Sequence, residues 1–131
     1  MSTENYDILV IGSGEAGKYL AWTMGSEGHR SAVVERKLIG GSCINIACLP
    51  SKNIIHSAKV RLFTMRAAEF GVQLESAVTS IKGVLARKRA MVDGLIQLQL
   101  DRYRASWAEL IMGEARFVRE QNGRCRVGWR W

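Results

Sequence analysis

Cys43 and Cys48, with four residues between them, stand in the segment Gly40-Gly41-Ser42-Cys43-Ile44-Asn45-Ile46-Ala47-Cys48-Leu49-Pro50-Ser51-Lys52. Upstream lies the glycine-rich turn Gly12-Ser13-Gly14-Glu15-Ala16-Gly17. A pair of thiols can cycle between dithiol and disulfide by taking up or releasing two electrons. A G-x-G-x-x-G turn between a strand and a helix can cradle the diphosphate of a dinucleotide. The two together imply electron transfer between a bound cofactor and a disulfide.

In the turn, Gly12 permits the tight bend, Gly14 lets the backbone approach a pyrophosphate, and Gly17 allows close packing of helix on strand. The free amides and the dipole of the following helix then face the diphosphate. Glu35 lies 23 positions after Gly12. A carboxylate there can accept hydrogen bonds from the adenosine ribose and disfavours a 2′-phosphate. The turn by itself does not distinguish FAD from NAD, because both carry an ADP half.

On one regular helix the Cα atoms of Cys43 and Cys48 would be about 8.6 Å apart, beyond the ~7 Å that a disulfide spans. A bridging pair therefore requires a break in the helix. Pro50 suits the first turn of a helix. We expect Cys43 in a loop or distorted turn and Cys48 near a helix start. A thiol at a helix N-terminus has its thiolate stabilised, and Lys52, one turn beyond Cys48, would add to this. A zinc site needs further ligands at metal spacing. Only Cys125, His29 and His56 remain and none forms a second pair, so no metal site is expected. Cys125 reads as an unpaired bystander.

The elements that must position these groups follow from pattern. Tyr6–Ile11 is a short apolar run ended by glycine, as in a buried parallel strand. Glu15 to about Met24 is helical in composition, and Ser31–Glu35 is a second strand. These make one βαβ unit. From Pro50 to about Phe70 the pattern is helical, with Ile55, Ala58, Leu62 and Met65 forming an apolar stripe and Gly71 a natural stop. Ala77 to about Trp107 is a second long helical stretch. Leu110–Met112 and Arg116–Val118 read as short strands, and Asn122-Gly123 as a hairpin turn.

The 131 residues fit one domain and hardly two. Apolar residues make up 47% and charged residues 24%, as in ordinary globular proteins. No apolar run is long enough for a membrane span, and no signal peptide is visible, so a cytoplasmic location is expected. Lys plus Arg is 19 against 12 for Asp plus Glu, a formal net charge of +7. These charges are dispersed without a basic–aromatic recognition motif. They suit a diphosphate cofactor better than nucleic acid.

The stretch Gly40–Lys52 closely resembles the redox segment of the class I pyridine nucleotide–disulfide oxidoreductases, flavoproteins that include dihydrolipoamide dehydrogenase, glutathione reductase and mercuric reductase. The family pattern G-G-T/S-C-x-N-x-G/A-C-x-P-S/T/K-K is matched by Gly40, Gly41, Ser42, Cys43, Asn45, Ala47, Cys48, Pro50, Ser51 and Lys52. The resemblance runs from Tyr6 to about Val118. It implies an α/β, Rossmann-like, partial FAD-binding domain over residues 1–118 with long helical segments, and a divergent tail over 119–131.

The resemblance further implies FAD at Gly12, Gly14 and Gly17, with Glu35 on the ribose. Gly41, Ser42 and the nearby backbone would line the pyrophosphate and flavin, and Lys52 would stand near the flavin's reactive edge. The backbone at Ala115 would contact the adenine. Cys43 would exchange with a small-molecule disulfide or metal-ion substrate, and Cys48 would form a charge-transfer thiolate against the flavin.

Members of the family carry NAD(P)H and interface domains beyond this region and act as homodimers; no second glycine-rich turn is present here. The tail's Arg/Trp/Gly/Cys bias would fit a frameshift or a truncated reading frame. The expected function is therefore the N-terminal part of an FAD-dependent NAD(P)H:disulfide (or mercuric ion) oxidoreductase, incomplete as an enzyme. Two alternatives are a non-enzymatic nucleotide-binding or thiol-redox remnant, and a small NAD-dependent dehydrogenase in which the cysteines play no part.

Overall fold

The computed structural model describes residues 4–121 and 124–130. Three strands, β1 (Ile8–Ile11), β2 (Ser31–Glu35) and β3 (Glu109–Met112), form a parallel sheet in the order β1-β2-β3. Helix α1 (Glu15–Ser26) links β1 to β2. The long excursion from β2 to β3 carries α2 (Gly41–Asn45), α3 (Cys48–Met65), a 3-10 turn (Ala67–Phe70) and α4 (Ile81–Ser106). A two-stranded antiparallel ribbon follows, β4 (Glu114–Gln121) with β5 (Arg124–Arg130).

Strand β2 is central and buried along its whole length. Its alternating side chains feed two small cores, as the period of two dictates. Val33 packs with Ala21, Trp22, Tyr103 and Ala108 on the side covered by α1 and α4. Ala32 and Val34 pack with Ile111 on the opposite side, where Tyr6, Leu9 and Ala115 close over them. The βαβ reading of residues 6–35 holds, with the first strand shortened to Ile8–Ile11.

The helical stretches differ from expectation in their ends and in what they bury. The first begins at Cys48, two residues before Pro50, and gives way to the 3-10 turn after Met65; Gly71 ends that turn in the left-handed region, at φ +73°. Its apolar stripe does not face a core: Ile55, Leu62 and Met65 are 53%, 51% and 67% exposed. The second runs over Ile81–Ser106, capped by Ser80, whose side chain accepts from the Gly83 amide. Only its end buries polar and aromatic side chains, Gln99, Tyr103 and Ser106. The periodicity marked an apolar stripe but could not say whether any layer covers it.

The strand expected at Arg116–Val118 begins two residues earlier and runs further, with Glu114 and Ala115 opening β4. Pairing of β4 with β5 continues beyond Val118, with a register irregularity between Phe117 and Arg119. Asn122 and Gly123, the expected hairpin turn, lie outside the described residues, as does the side chain of Cys125. No helix among the described residues is long and apolar enough to cross a membrane.

Candidate functional site

The glycine turn joins the end of β1 to α1. Gly12 has φ +93° and its amide donates to the Val34 carbonyl at 2.8 Å, so the turn is pinned to the top of β2. Gly17 is where helix and strand meet: a Cβ there would stand 2.4 Å from the Gly12 oxygen and 2.8 Å from Val10 Cγ1. Gly14 is the opposite case. It caps α1 with φ −62° and ψ 178°, uses no side chain to do so, and a Cβ on it would meet nothing within 4 Å. The first amides of α1 are thus left uncapped beside open space. That is the arrangement a diphosphate requires.

The dithiol segment abuts this turn. Gly41, at φ +75°, lies so close that a Cβ on it would stand 2.8 Å from Gly14 Cα. Gly41 opens the five-residue helix α2, which holds Ser42 and Cys43. Asn45 ties that helix down, donating from Nδ2 to the Ile39 carbonyl at 2.9 Å and the Gly41 carbonyl at 2.7 Å. At Ile46 and Ala47 the backbone leaves helical geometry, and α3 begins afresh at Cys48. The required break between the cysteines is therefore present. Contrary to expectation, Cys43 is itself helical, but in a separate short helix.

Both cysteines are free, Cys43 half-buried and Cys48 exposed. Cys43 keeps its proton to higher pH than an ordinary thiol. The largest cause is its side-chain hydrogen bond with Cys48, followed by burial and then by the charges of Cys48 and Glu15; Lys18 acts in the opposite sense. Two residues that sequence reasoning did not single out therefore act on this thiol. Lys18 is only 2% exposed. Its ammonium pairs with Glu15 Oε1 at 2.7 Å and lies 5.5 and 5.8 Å from the ring centroids of Tyr19 and Trp22. Its position directly after the third glycine was the available signal, though nothing local marks a lysine there as buried.

Glu35 sits at the end of β2, 8% exposed. Oε2 accepts from the Ser13 amide at 2.9 Å and the Ser13 hydroxyl at 2.7 Å, while Oε1 accepts from the Lys37 and Leu38 amides at 2.8 and 3.0 Å. Burial pushes this carboxyl up, but the four hydrogen bonds outweigh it and hold its pKa below 4.5. Ser13, fully buried, also accepts from the Gly40 amide at 2.9 Å. Of the remaining expected site residues, Lys52 is exposed on α3 and Ala115 is half-buried beneath the sheet. The fold gathers Gly12, Gly14, Gly17, Glu35 and Gly41 at one end of the sheet, with Ser42 and Cys43 following directly from Gly41 in α2 and Cys48 opening α3.

The profile of the family described as "pyridine nucleotide-disulphide oxidoreductase" matches residues 6–121. The chain belongs to that family. Its relatives include dihydrolipoyl dehydrogenase of Bacillus subtilis, 37% identical over 95 residues, which covers 72% of this chain and 20% of the relative. They also include mercuric reductase of Lysinibacillus sphaericus, 30% identical over 119 residues, covering 90% of this chain and 22% of the relative. Among solved structures, the copper(II) complex of the HOCl-induced flavoprotein disulfide reductase RclA from Escherichia coli superposes with a TM-score of 0.73 at 25% identity, over 95% of this chain and 26% of that one. The chain thus spans about a fifth to a quarter of the length of the relatives it matches.

Proposed function

We propose that the chain is the N-terminal, FAD-binding part of an oxidoreductase that delivers electrons to a disulfide or metal-ion substrate through Cys43 and Cys48. The observation that carries this reading is the contact of Gly41 with Gly14, which brings the dithiol segment against the mouth of the nucleotide turn. The residues fit the diphosphate half of FAD: an uncapped helix start, and a glycine whose missing side chain leaves space. Bound there, FAD would supply the electron pair.

In this reading Gly12, Gly14 and Gly17 shape the cradle, and the amides of α1 bind the diphosphate. Glu35 receives the ribose, sharing its carboxylate with donors of the chain. Gly41 and Ser42 line the path to the flavin, Lys52 stands near the flavin's edge, and the Ala115 backbone supports the adenine. The Cys43–Cys48 disulfide takes up two electrons and two protons to become two thiols. Cys43, as thiolate, attacks one sulfur of a substrate disulfide and releases the first product thiol. Cys48 then attacks Cys43 in the mixed disulfide, releasing the second and restoring the Cys43–Cys48 bond. The protons of the pair leave with the product thiols. A metal-ion substrate would instead be held by the two thiolates and take up the electron pair that bound FAD would supply, leaving as the reduced metal while both sulfurs stay at the thiol level. NAD(P)H as hydride donor and a homodimeric assembly belong, on this reading, to a longer protein of the family.

The test is reconstitution of the purified chain with FAD. A yellow protein that gains a long-wavelength band on dithionite reduction, and loses that band in Cys48→Ser, supports the reading. A colourless chain that retains no FAD sinks it and leaves the non-enzymatic remnant. NADH binding with cysteine-independent activity would favour the dehydrogenase instead.

A further inference from the structure

In a G-x-G-x-x-G turn the chemistry is assigned to the glycines, and the second position is free to vary. Here that position is Ser13, and it has no exposed surface at all. Its amide and hydroxyl both donate to Glu35 Oε2, at 2.9 and 2.7 Å, with the Leu38 carbonyl a further 3.2 Å neighbour of the hydroxyl. The hydroxyl oxygen of Ser13 in turn accepts from the Gly40 amide at 2.9 Å. One hydroxyl thus joins three stretches of chain: the nucleotide turn, the end of β2, and the residue that opens the dithiol segment.

From Gly40 the connection to the thiols is short and stiff. Gly40, at φ +83°, leads into α2; Asn45 holds the Ile39 carbonyl before that helix and the Gly41 carbonyl within it, and the Ser42 carbonyl receives the amides of Ile46 and Ala47. Cys43 lies three residues past the tether, and Cys48 follows immediately after the last of these bonds. We infer that Ser13 is a positioning residue of the proposed redox site: its buried hydroxyl fixes where α2 starts, and so sets where Cys43 stands relative to Cys48. This rests on the proposed function only for the use made of the thiols.

Removing the hydroxyl leaves the buried Gly40 amide without its acceptor and removes one donor from Glu35. Unsatisfied buried groups are expensive enough to displace a short helix. With α2 free to shift, Cys43 moves relative to Cys48 and loses part of its burial, and these are the two largest causes of its raised pKa. It should then react as an ordinary thiol.

The experiment is alkylation of Cys43 by iodoacetamide in the cofactor-free chain, followed over pH by peptide-resolved mass spectrometry so that Cys48 and Cys125 are scored separately. Ser13→Ala is expected to react faster at neutral pH by about fivefold, the equivalent of one ordinary hydrogen bond, with its midpoint moved to lower pH. Ser13→Thr, which keeps the hydroxyl, is expected to restore the original profile. A folded Ser13→Ala chain with the unaltered rate and midpoint overturns the inference, and so does a folded Ser13→Thr chain that behaves like Ser13→Ala. Should Ser13→Ala fail to fold, amide exchange decides on the unmutated chain: a protected Gly40 amide supports the tether, and exchange at the rate of an open loop overturns it. These readouts need no FAD. A chain that binds none would defeat the proposed function and still report on Ser13.

Discussion

The nucleotide turn and the dithiol segment touch at Gly14 and Gly41, yet they are held in opposite ways. The turn rests on a carboxylate with four donors and on the fully buried β2. The dithiol segment is half-exposed: Ser42, Ile46, Ala47 and Cys48 face outward, and Cys43 is only half-buried. A cradle for a diphosphate gains from rigidity, because its amides must already point at the ligand. Thiols that exchange with a substrate must be reachable. On the proposed function, the difference teaches that the end that would bind the cofactor is fixed by its own hydrogen bonds, while the end that would react is tied to that neighbour through Gly40.

The largest effect that sharpens this contrast is on the open side. Cys48→Ser should abolish reversible oxidation of Cys43 altogether, since no partner remains within α2 or α3; thiol titration before and after mild oxidant, with Cys43 quantified by peptide, checks it. The fold itself should be nearly unaffected, because Cys48 is exposed.

On the closed side the order reverses, and stability suffers first. Gly17→Val forces a side chain into the Gly12 oxygen and Val10. Overpacking of this kind costs about 1–3 kcal/mol or more, visible as a lower urea midpoint, and ADP binding should fall with it.

Glu35→Gln should cost about 1–3 kcal/mol, because an amide nitrogen replaces an acceptor among buried donors. It should also flatten the acid limb of stability. The folded pKa of Glu35 lies below its ordinary 4.5, so its contribution is present above that pH and lost as pH falls through the folded value. Urea midpoints measured from neutral pH down to about pH 3 should show less acid destabilisation in Glu35→Gln than in the parent chain; equal slopes would mean the carboxylate does not anchor the turn.

The smallest stability effect should come from Gly14→Ala, whose Cβ meets nothing and whose dihedrals suit alanine. A change under about 1 kcal/mol is expected, together with a clear loss of ADP or FAD affinity by calorimetry, because the methyl occupies the cradle. Unchanged affinity would place the diphosphate elsewhere. Gly14→Ala and Gly17→Val thus separate binding from packing within one turn.

Much of this was legible in sequence. The βαβ unit, the broken helix between the cysteines, and the steric roles of Gly12 and Gly17 follow from local rules: the apolar run of Ile8–Ile11, the reach of a disulfide, and the steric needs of a turn. Ser13 and Lys18 were not legible, since a serine or lysine in that register is ordinarily solvated. The stripe of Ile55, Leu62 and Met65 misled for a related reason: periodicity marks an apolar face but not what covers it.

The chain's order of residues, by itself, determined which groups can do chemistry and at what spacing: two sulfurs, an uncapped helix start, a carboxylate one strand away. Only the tertiary structure decided that the carboxylate faces inward onto Ser13, that Ser13 holds Gly40, and that Gly41 rests on Gly14. Spacing along a chain fixes local geometry through bond angles and sterics. Contacts between residues more than twenty positions apart depend on which faces the packed layers bring together, and that is a property of the whole fold.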